Sequence, residues 1–273
     1  MERIKPWWGE FELAEGTAGC WSIGPARLWI EHQPREWRVG LLRGEAPDED
    51  TSAVSLPLPA AQVPADLSLN RYSFQTGVTA LSVLPLLADR PVISRPDVPL
   101  FIPPSQSIQL YVSTPLWLQV RGGEPALVLQ EFPIVRPSDT WAGSLTRNGG
   151  LSYAASTMAR TTLDGFPFSS WRAVTPIRIT NRGRDIAAVE RLHLPVPFLS
   201  LYQGQDGTLW TQAVALTRGG DDALELEQFG TDAPPEAGQS GLLAGPRRRA
   251  ERSLLGKAFG TLFGRGGSDD GVD

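Results

Sequence analysis

Twenty-four prolines and 28 glycines are spread along the 273 residues instead of being gathered in one segment. A proline inside a helix removes a backbone donor and clashes with the preceding turn, so this spacing leaves little room for long helices. The pieces between these residues suit strands. "GCWSIGPARLWIE", "EWRVGLLRG", "SIQLYVSTPLWLQV", "PALVLQEFPIV", "AVTPIRITN" and "GTLWTQAVAL" are short and rich in Trp, Ile, Val and Leu. "RYSFQTGVTALSVLPLLA" (71–88) also fits a strand better than a helix, and Pro115 predicts a bulge or an edge in "SIQLYVSTPLWLQV". "ITNRGRDIAAVERLHL" predicts two strands joined as a hairpin at Asn181–Gly183.

Many short strands at a spacing of roughly 8–12 residues predict an all-β fold, a β-sandwich or open barrel of antiparallel strands. "VPLFIPPSQSIQLYVSTPLW" (98–117) echoes "VPFLSLYQGQDGTLW" (196–210), which raises a duplicated unit with halves at 1–120 and 121–230. The all-β domain is expected to span 1–230. A Pro/Gly linker (231–246), a basic amphipathic helix (247–265) and a disordered acidic tail (266–273) are expected to follow.

The single cysteine, Cys20, excludes an internal disulfide framework and reads as a small buried hydrophobe. "MERIKPWWGEFELAEG" lacks the pattern of a secretory signal, and no run of about 18 apolar residues is present. The expected location is the cytoplasm. The net charge of −5 divides unevenly: residues 247–265 hold six basic residues against Glu251, whereas residues 1–246 hold 19 basic and 26 acidic ones. An acidic body argues against nucleic-acid binding.

No catalytic signature stands out. The two histidines, His32 and His193, lie outside any zinc-binding spacing. His32 is expected to face solvent beside Glu31, and His193 to be a structural residue on a strand. There is no nucleophile elbow, P-loop or dinucleotide fingerprint, and no catalytic residue, metal or cofactor is expected. "ADRPVISRPDVP" supplies Asp89, Arg90, Arg95 and Asp97, and "VRPSDTW" supplies Arg136 and Asp139. An Arg and an Asp close together around a proline suit a fixed ion pair at a strand end, with Arg136 and Asp139 pairing together or with near neighbours. The competing reading is a carbohydrate site, with Asp97 and Asp139 across a cleft and Trp141 as a sugar platform. Most of the nine tryptophans are expected in the core.

The phrases "LLADRPVISRPDVPLFIPP", "LYVSTPLW", "RPSDTW", "RAVTPIRITN" and "ERLHLPVPFLSLY…LWT" resemble a prokaryotic family, found in bacteria and archaea and classed only as a domain of unknown function. The resemblance covers about residues 1–230 and excludes the tail. It implies no known activity. It does imply a membrane neighbourhood, because such proteins are encoded beside small mechanosensitive channel proteins, and a channel of that type becomes a candidate partner.

The tail points the same way. At 100° per residue Leu254, Leu255, Ala258, Phe259, Leu262 and Phe263 fill half of a helical wheel. Arg247, Arg248, Arg249 and Arg252 precede that stripe. Gly256 and Gly260 each cost about 1 kcal/mol against Ala, so the helix is expected to order only on a surface. The sequence therefore predicts a non-enzymatic binding or scaffold protein whose residues 247–265 dock on an anionic membrane surface or a protein partner, peripheral at the inner face of the membrane.

Overall fold

The computed structural model describes residues 6–45, 52–75, 77–94, 96, 99–142, 150–155, 159–218 and 224–249. Every regular element there is a β-strand, apart from three single turns of 3₁₀ helix. The all-β expectation holds.

The first group of strands is built on a meander. Strands β2 (Thr17–Ile23), β3 (Ala26–Gln33) and β4 (Glu36–Arg43) are flanked by β5 (Ser52–Pro59) and β6 (Asn70–Ser73). Both turns of the meander are two residues long, which fixes the register. Gly24 takes φ +53 in the first, and Pro34 precedes Arg35 at φ +64 in the second, the order a type II turn needs. The facing sheet runs β1 (Gly9–Glu12), β7 (Ala80–Leu86), β11 (Trp117–Gly122) and β12 (Leu127–Pro133). Phe11 meets Trp21 edge-on across the two sheets at 5.1 Å.

The second group includes a sheet ordered β15 (Ala159–Arg160), β10 (Ser107–Pro115), β16 (Arg172–Asn181), β20 (Leu209–Thr211), β19 (Leu201–Gly204), β23 (Ser240–Ala244). Strands β21 (Val214–Arg218) and β22 (Leu224–Phe229) extend it from β16. A smaller sheet joins β13 (Ser138–Ala142), β14 (Gly150–Ala155), β8 (Val92–Ser94) and β18 (Leu192–Leu194), and a ribbon pairs β9 (Leu100–Ile102) with β17 (Ala187–Val189). One buried cluster runs through both groups, and Trp7, Trp21, Trp37 and Trp210 are almost fully enclosed.

Several expectations are corrected. The strands are not all antiparallel: β14–β8, β16–β20 and β16–β21 run parallel. Pro176 sits where the neighbour of β16 changes from β20 to β21, so its missing amide falls in a gap in the ladder. Pro115 marks a change of sheet, since β10 belongs to the second group and β11 to the first. A boundary at 120 therefore cuts through the first group, and the proposed halves do not match the sheets. The echoed "Val-Pro" pairs also differ, because Pro99 precedes a strand while Val196–Phe198 is a 3₁₀ turn. The stretch around Asn181 is no hairpin: β17 pairs with β9, and β18 with β8. The buried Asn181 side chain donates to Ile102 O and Asp185 O, which turns the chain away.

Residues 231–246 are not a linker. Pro235–Ala237 forms a 3₁₀ turn and Ser240–Ala244 is the edge strand β23, paired with β19. An edge strand needs a partner on one side only, so its mixed Gly and Leu content hides it. Residues 250–273 lie outside the described residues, and with them most of the expected helix and the acidic tail.

Candidate functional site

Asp139 lies on β13, and its carboxylate meets the Arg90 guanidinium at 3.2 Å from the loop after β7. Arg136 is not that partner. It is exposed, and its charge acts on Arg43, whose pKa is lowered first by burial and then by this like charge. Arg95 and Asp97 lie outside the described residues. Trp141 pairs with Leu151 through the backbone of β13 and β14, and its side chain lies outside the description.

Arg90 begins a column of alternating charge and aromatic rings. Its guanidinium stands 5.3 Å from the centre of the Tyr153 ring. Tyr153 is 6.2 Å from Trp117, and the Arg247 guanidinium lies 5.4 Å from the Trp117 ring on β11. Carboxylates close both ends: Asp139 holds Arg90, and Glu131 on β12 holds Arg247 at 2.7 Å. Tyr153 donates its hydroxyl to Asp89 at 2.9 Å, and burial together with that bond pushes its pKa up to about 12. A phenol so held is no base at neutral pH. The phrase "LLADRP" thus supplies three elements of the column in succession, the Leu87 carbonyl, Asp89 and Arg90.

Arg247 corrects the expectation for its own residue. It was expected at a membrane or partner, yet its Nε donates to Leu87 O at 2.6 Å and its side chain is largely buried against the body. The Arg248 amide donates to Pro197 O at 2.9 Å, so two successive residues are fixed. The Arg248 and Arg249 side chains are exposed. Arg252, Leu254, Leu255, Phe259, Leu262 and Phe263 lie outside the described residues.

A second cluster was missed by the sequence reading. His32 does not face solvent; it is 6% exposed and stacks on its cross-strand partner Trp37, with ring centres 4.0 Å apart and planes 4° from parallel. The alternation of Ala26, Leu28, Ile30 and His32 carried this signal, because residues two apart share a face of a strand. His32 Nδ1 donates to Leu13 O at 2.7 Å, and Trp37 Nε1 donates to Val78 O at 2.9 Å. These residues wall a cavity of about 250 Å³ at one end of the first sheet pair, together with Glu15, Arg35, Glu36, Phe74 and Thr79. Glu36 is not free chemistry: Arg38 and Arg71 each hold one of its oxygens, at 2.7 and 2.6 Å, and keep its pKa below the usual carboxylate range.

His193 is 5% exposed, as expected of a structural residue, and burial with the nearby Arg191 charge lowers its pKa to about 4. Cys20 is half-buried, and burial raises its thiol pKa. Among the described residues no three His, Cys, Asp or Glu side chains cluster as metal ligands.

A sequence profile described as "Protein of unknown function (DUF432)" matches residues 7–263. The chain belongs to this family. No curated protein and no solved structure matches the chain. The DUF432 match corrects the extent of the resemblance, which stopped at residue 230: it runs through β23, the Arg247 anchor and most of the basic and apolar segment. That segment is therefore part of the DUF432 unit.

Proposed function

We propose that this DUF432 protein is a binding or scaffold protein whose β body holds the root of residues 250–265 and presents that segment to an anionic membrane surface. The observation that carries this reading is the anchor. Arg247 is held by Leu87 O, Glu131 and the Trp117 ring, and the next amide is held by Pro197 O. A rooted segment meets a surface from a fixed point on the body.

With Arg247 spent on the body, Arg248, Arg249, Arg252, Lys257 and Arg265 remain for lipid, against Glu251. Each basic residue near anionic lipid contributes about 1 kcal/mol. Burying Leu254, Leu255, Phe259, Leu262 and Phe263 adds roughly 2 kcal/mol apiece where the side chain is fully covered. On this reading the protein works at the inner face of the membrane. Arg90 engages one oxygen of Asp139, and Asp97, the other carboxylate of the competing carbohydrate reading, lies outside the described residues.

Flotation of the full chain with anionic and with neutral vesicles tests the proposal. The full chain is expected to float with anionic vesicles, and the variant Arg252→Glu, Lys257→Glu, Phe259→Asp to stay in solution. Equal behaviour of the two proteins on anionic vesicles overturns the membrane reading and leaves a protein partner for the segment. A truncation for the same purpose should end at residue 249, since a cut at 245 also removes the anchor.

A further inference from the structure

The ribbon of β9 and β17 buries one apolar face and shows another to water. Ile102, Ala187 and Val189 point into the core. On the opposite face Phe101 stands directly across from Ala188, and Ile186 lies diagonal to it, within reach of a large side chain. Phe101 is 67% exposed and Ile186 60%, and no large apolar side chain among the described residues is more exposed than Phe101. Ala188 and Pro103 are exposed beside them. Single exposed apolar residues are ordinary, whereas four together on one face mark an interaction surface. The face continues past Phe101 into an open depression of about 500 Å³, lined by Ile102, Pro103, Gln106, Ser107 and Ile108.

The turn that ends the ribbon has its backbone groups removed or in use. Pro103 and Pro104 carry no amide hydrogen. Ser105, at φ +60, donates its amide to Asn181 O at 2.9 Å, and Gln106 donates to Pro103 O at 3.2 Å. Asn181 returns its amide to Gln106 O at 2.9 Å, and its side chain donates to Ile102 O and Asp185 O. The face is therefore preformed on a rigid support. An apolar tip with its amides accounted for is what a bilayer accepts, because lipid chains offer no hydrogen bonds.

Charge around the face narrows the occupant further. Arg184 and Arg191 are exposed on its flanks, and so are Asp185 and Glu190. A rim with no net charge has no hold on the basic segment 247–265, but it suits headgroups that carry both signs. The ribbon and the root of the C-terminal segment also share one strand path. β17 runs through Glu190 and Arg191 into β18 and on to Pro197, whose carbonyl takes the Arg248 amide. The chain from Ala187 to Pro197 spans at most about 35 Å, and residues 250–265 add their own reach, so one bilayer surface meets both.

We infer that the face of Phe101, Ile186 and Ala188 is a second membrane contact, which inserts into the acyl boundary of a phospholipid bilayer once the C-terminal segment has brought the protein there. The inference rests on the membrane reading above and adds to it. The segment supplies selectivity for anionic lipid, and the ribbon supplies depth and a fixed orientation through contacts that do not depend on lipid charge.

The test uses the full chain with its one native thiol replaced, Cys20→Ala, and a single NBD fluorophore at Phe101→Cys or at the control site Asp66→Cys, which is exposed in the first strand group. Each protein is mixed with vesicles of phosphatidylcholine and phosphatidylglycerol, with and without a doxyl-labelled lipid. The label at 101 is expected to brighten on the vesicles and to be quenched by the doxyl lipid, and the label at 66 to do neither. In flotation with the same vesicles, Phe101→Asp and Ile186→Asp are each expected to weaken binding about tenfold, with an unchanged melting temperature because both sites are exposed. If the protein floats and the label at 101 stays unquenched, the inference is overturned and the membrane reading stands. If the unlabelled full chain does not float, both fall. If Phe101→Asp turns a dimer into a monomer and floats like the parent protein, a second copy covers this face and the inference is overturned.

Discussion

The two strand groups treat their buried polar groups in opposite ways. In the first, the His32 ring is tied at Nδ1 to Leu13 O and stacked on Trp37 beside a cavity. At the junction and in the second group, the ingredients are similar but closed: Arg90, Tyr153, Trp117 and Arg247 stack in a column whose charges are taken up by Asp139 and Glu131. His193 belongs to this closed side, where burial itself sets its protonation. An aromatic ring beside a charge is therefore no sign of a site. What distinguishes the two regions is a cavity beside the ring in the first and carboxylates at both ends of the column in the second.

The largest expected effect falls on the open side. Trp37 is 1% exposed, stacks on His32 and donates to Val78 O. Trp37→Ala removes that packing from the frame of the cavity and is expected to cost roughly 3–5 kcal/mol in chemical denaturation. Trp117 is only partly buried, so Trp117→Ala should cost less. If the two variants unfold at the same denaturant concentration, the cavity frame is no stiffer than the junction and the contrast fails.

Acid separates the groups by pH window. The unfolded chain takes up a proton on His193 near pH 6.5, whereas the folded chain does so only near 4. Between these values the unfolded state binds more protons, so stability falls as the pH is lowered through the window, by roughly 3 kcal/mol at its lower end. Glu36 has the other sign of origin: its folded pKa is depressed by Arg71 and Arg38, so its contribution is present above the ordinary value of 4.5 and lost below it. Unfolding curves at pH 7, 5.5 and 4.5 should therefore report His193 first. His193→Gln is expected to flatten the change between pH 6.5 and 4.5; an unaltered slope would mean that His193 is protonated in the folded protein.

How far the sequence foretold these regions follows from the distances involved. Strand content was legible, because it depends on proline spacing and on local β-branched and aromatic residues. The inward face of His32 was legible too, in the alternation from Ala26 onward, but the adjacent Glu31 drew attention to solvent; Glu31 is itself buried and held by Arg38 on the other face of the sheet. The partners in the column were not legible. Arg90 and Asp139 are 49 residues apart, and Arg247 and Glu131 are 116 apart, so no local spacing encodes either pair. The same holds for β23: its pairing with β19 bridges about 40 residues and needs no apolar alternation at an exposed edge.

A smaller effect is expected at the anchor. Arg247 is 17% exposed and Glu131 27%, and Arg247→Ala also strips the Leu87 carbonyl and the Trp117 face of their partner. Glu131 then keeps only the hydrogen bond from Gln119 and loses its cation, which is expected to cost about 1–2 kcal/mol. Limited proteolysis after residue 247 should quicken in the same variant, because the root of the C-terminal segment is then held by the Arg248 amide alone. Unchanged cleavage would show that β23 carries the anchoring and that Arg247 contributes only packing.

The smallest effect is expected at the other end of the same column. The sequence suggests a fixed ion pair for Asp139 at a strand end. Its side chain is in fact 64% exposed, and that of Arg90 37%, at a separation of 3.2 Å. Water screens such a pair and two flexible side chains must be ordered to make it, so its worth is about 0–1 kcal/mol. Arg90 also keeps its place over the Tyr153 ring without Asp139, since that contact depends on the loop after β7. Asp139→Ala is therefore expected to shift the melting temperature little and to be insensitive to added salt. A loss as large as that of Arg247→Ala would mean that Arg90 depends on Asp139 for its position, and that the column is held from its exposed end as well as from its buried one.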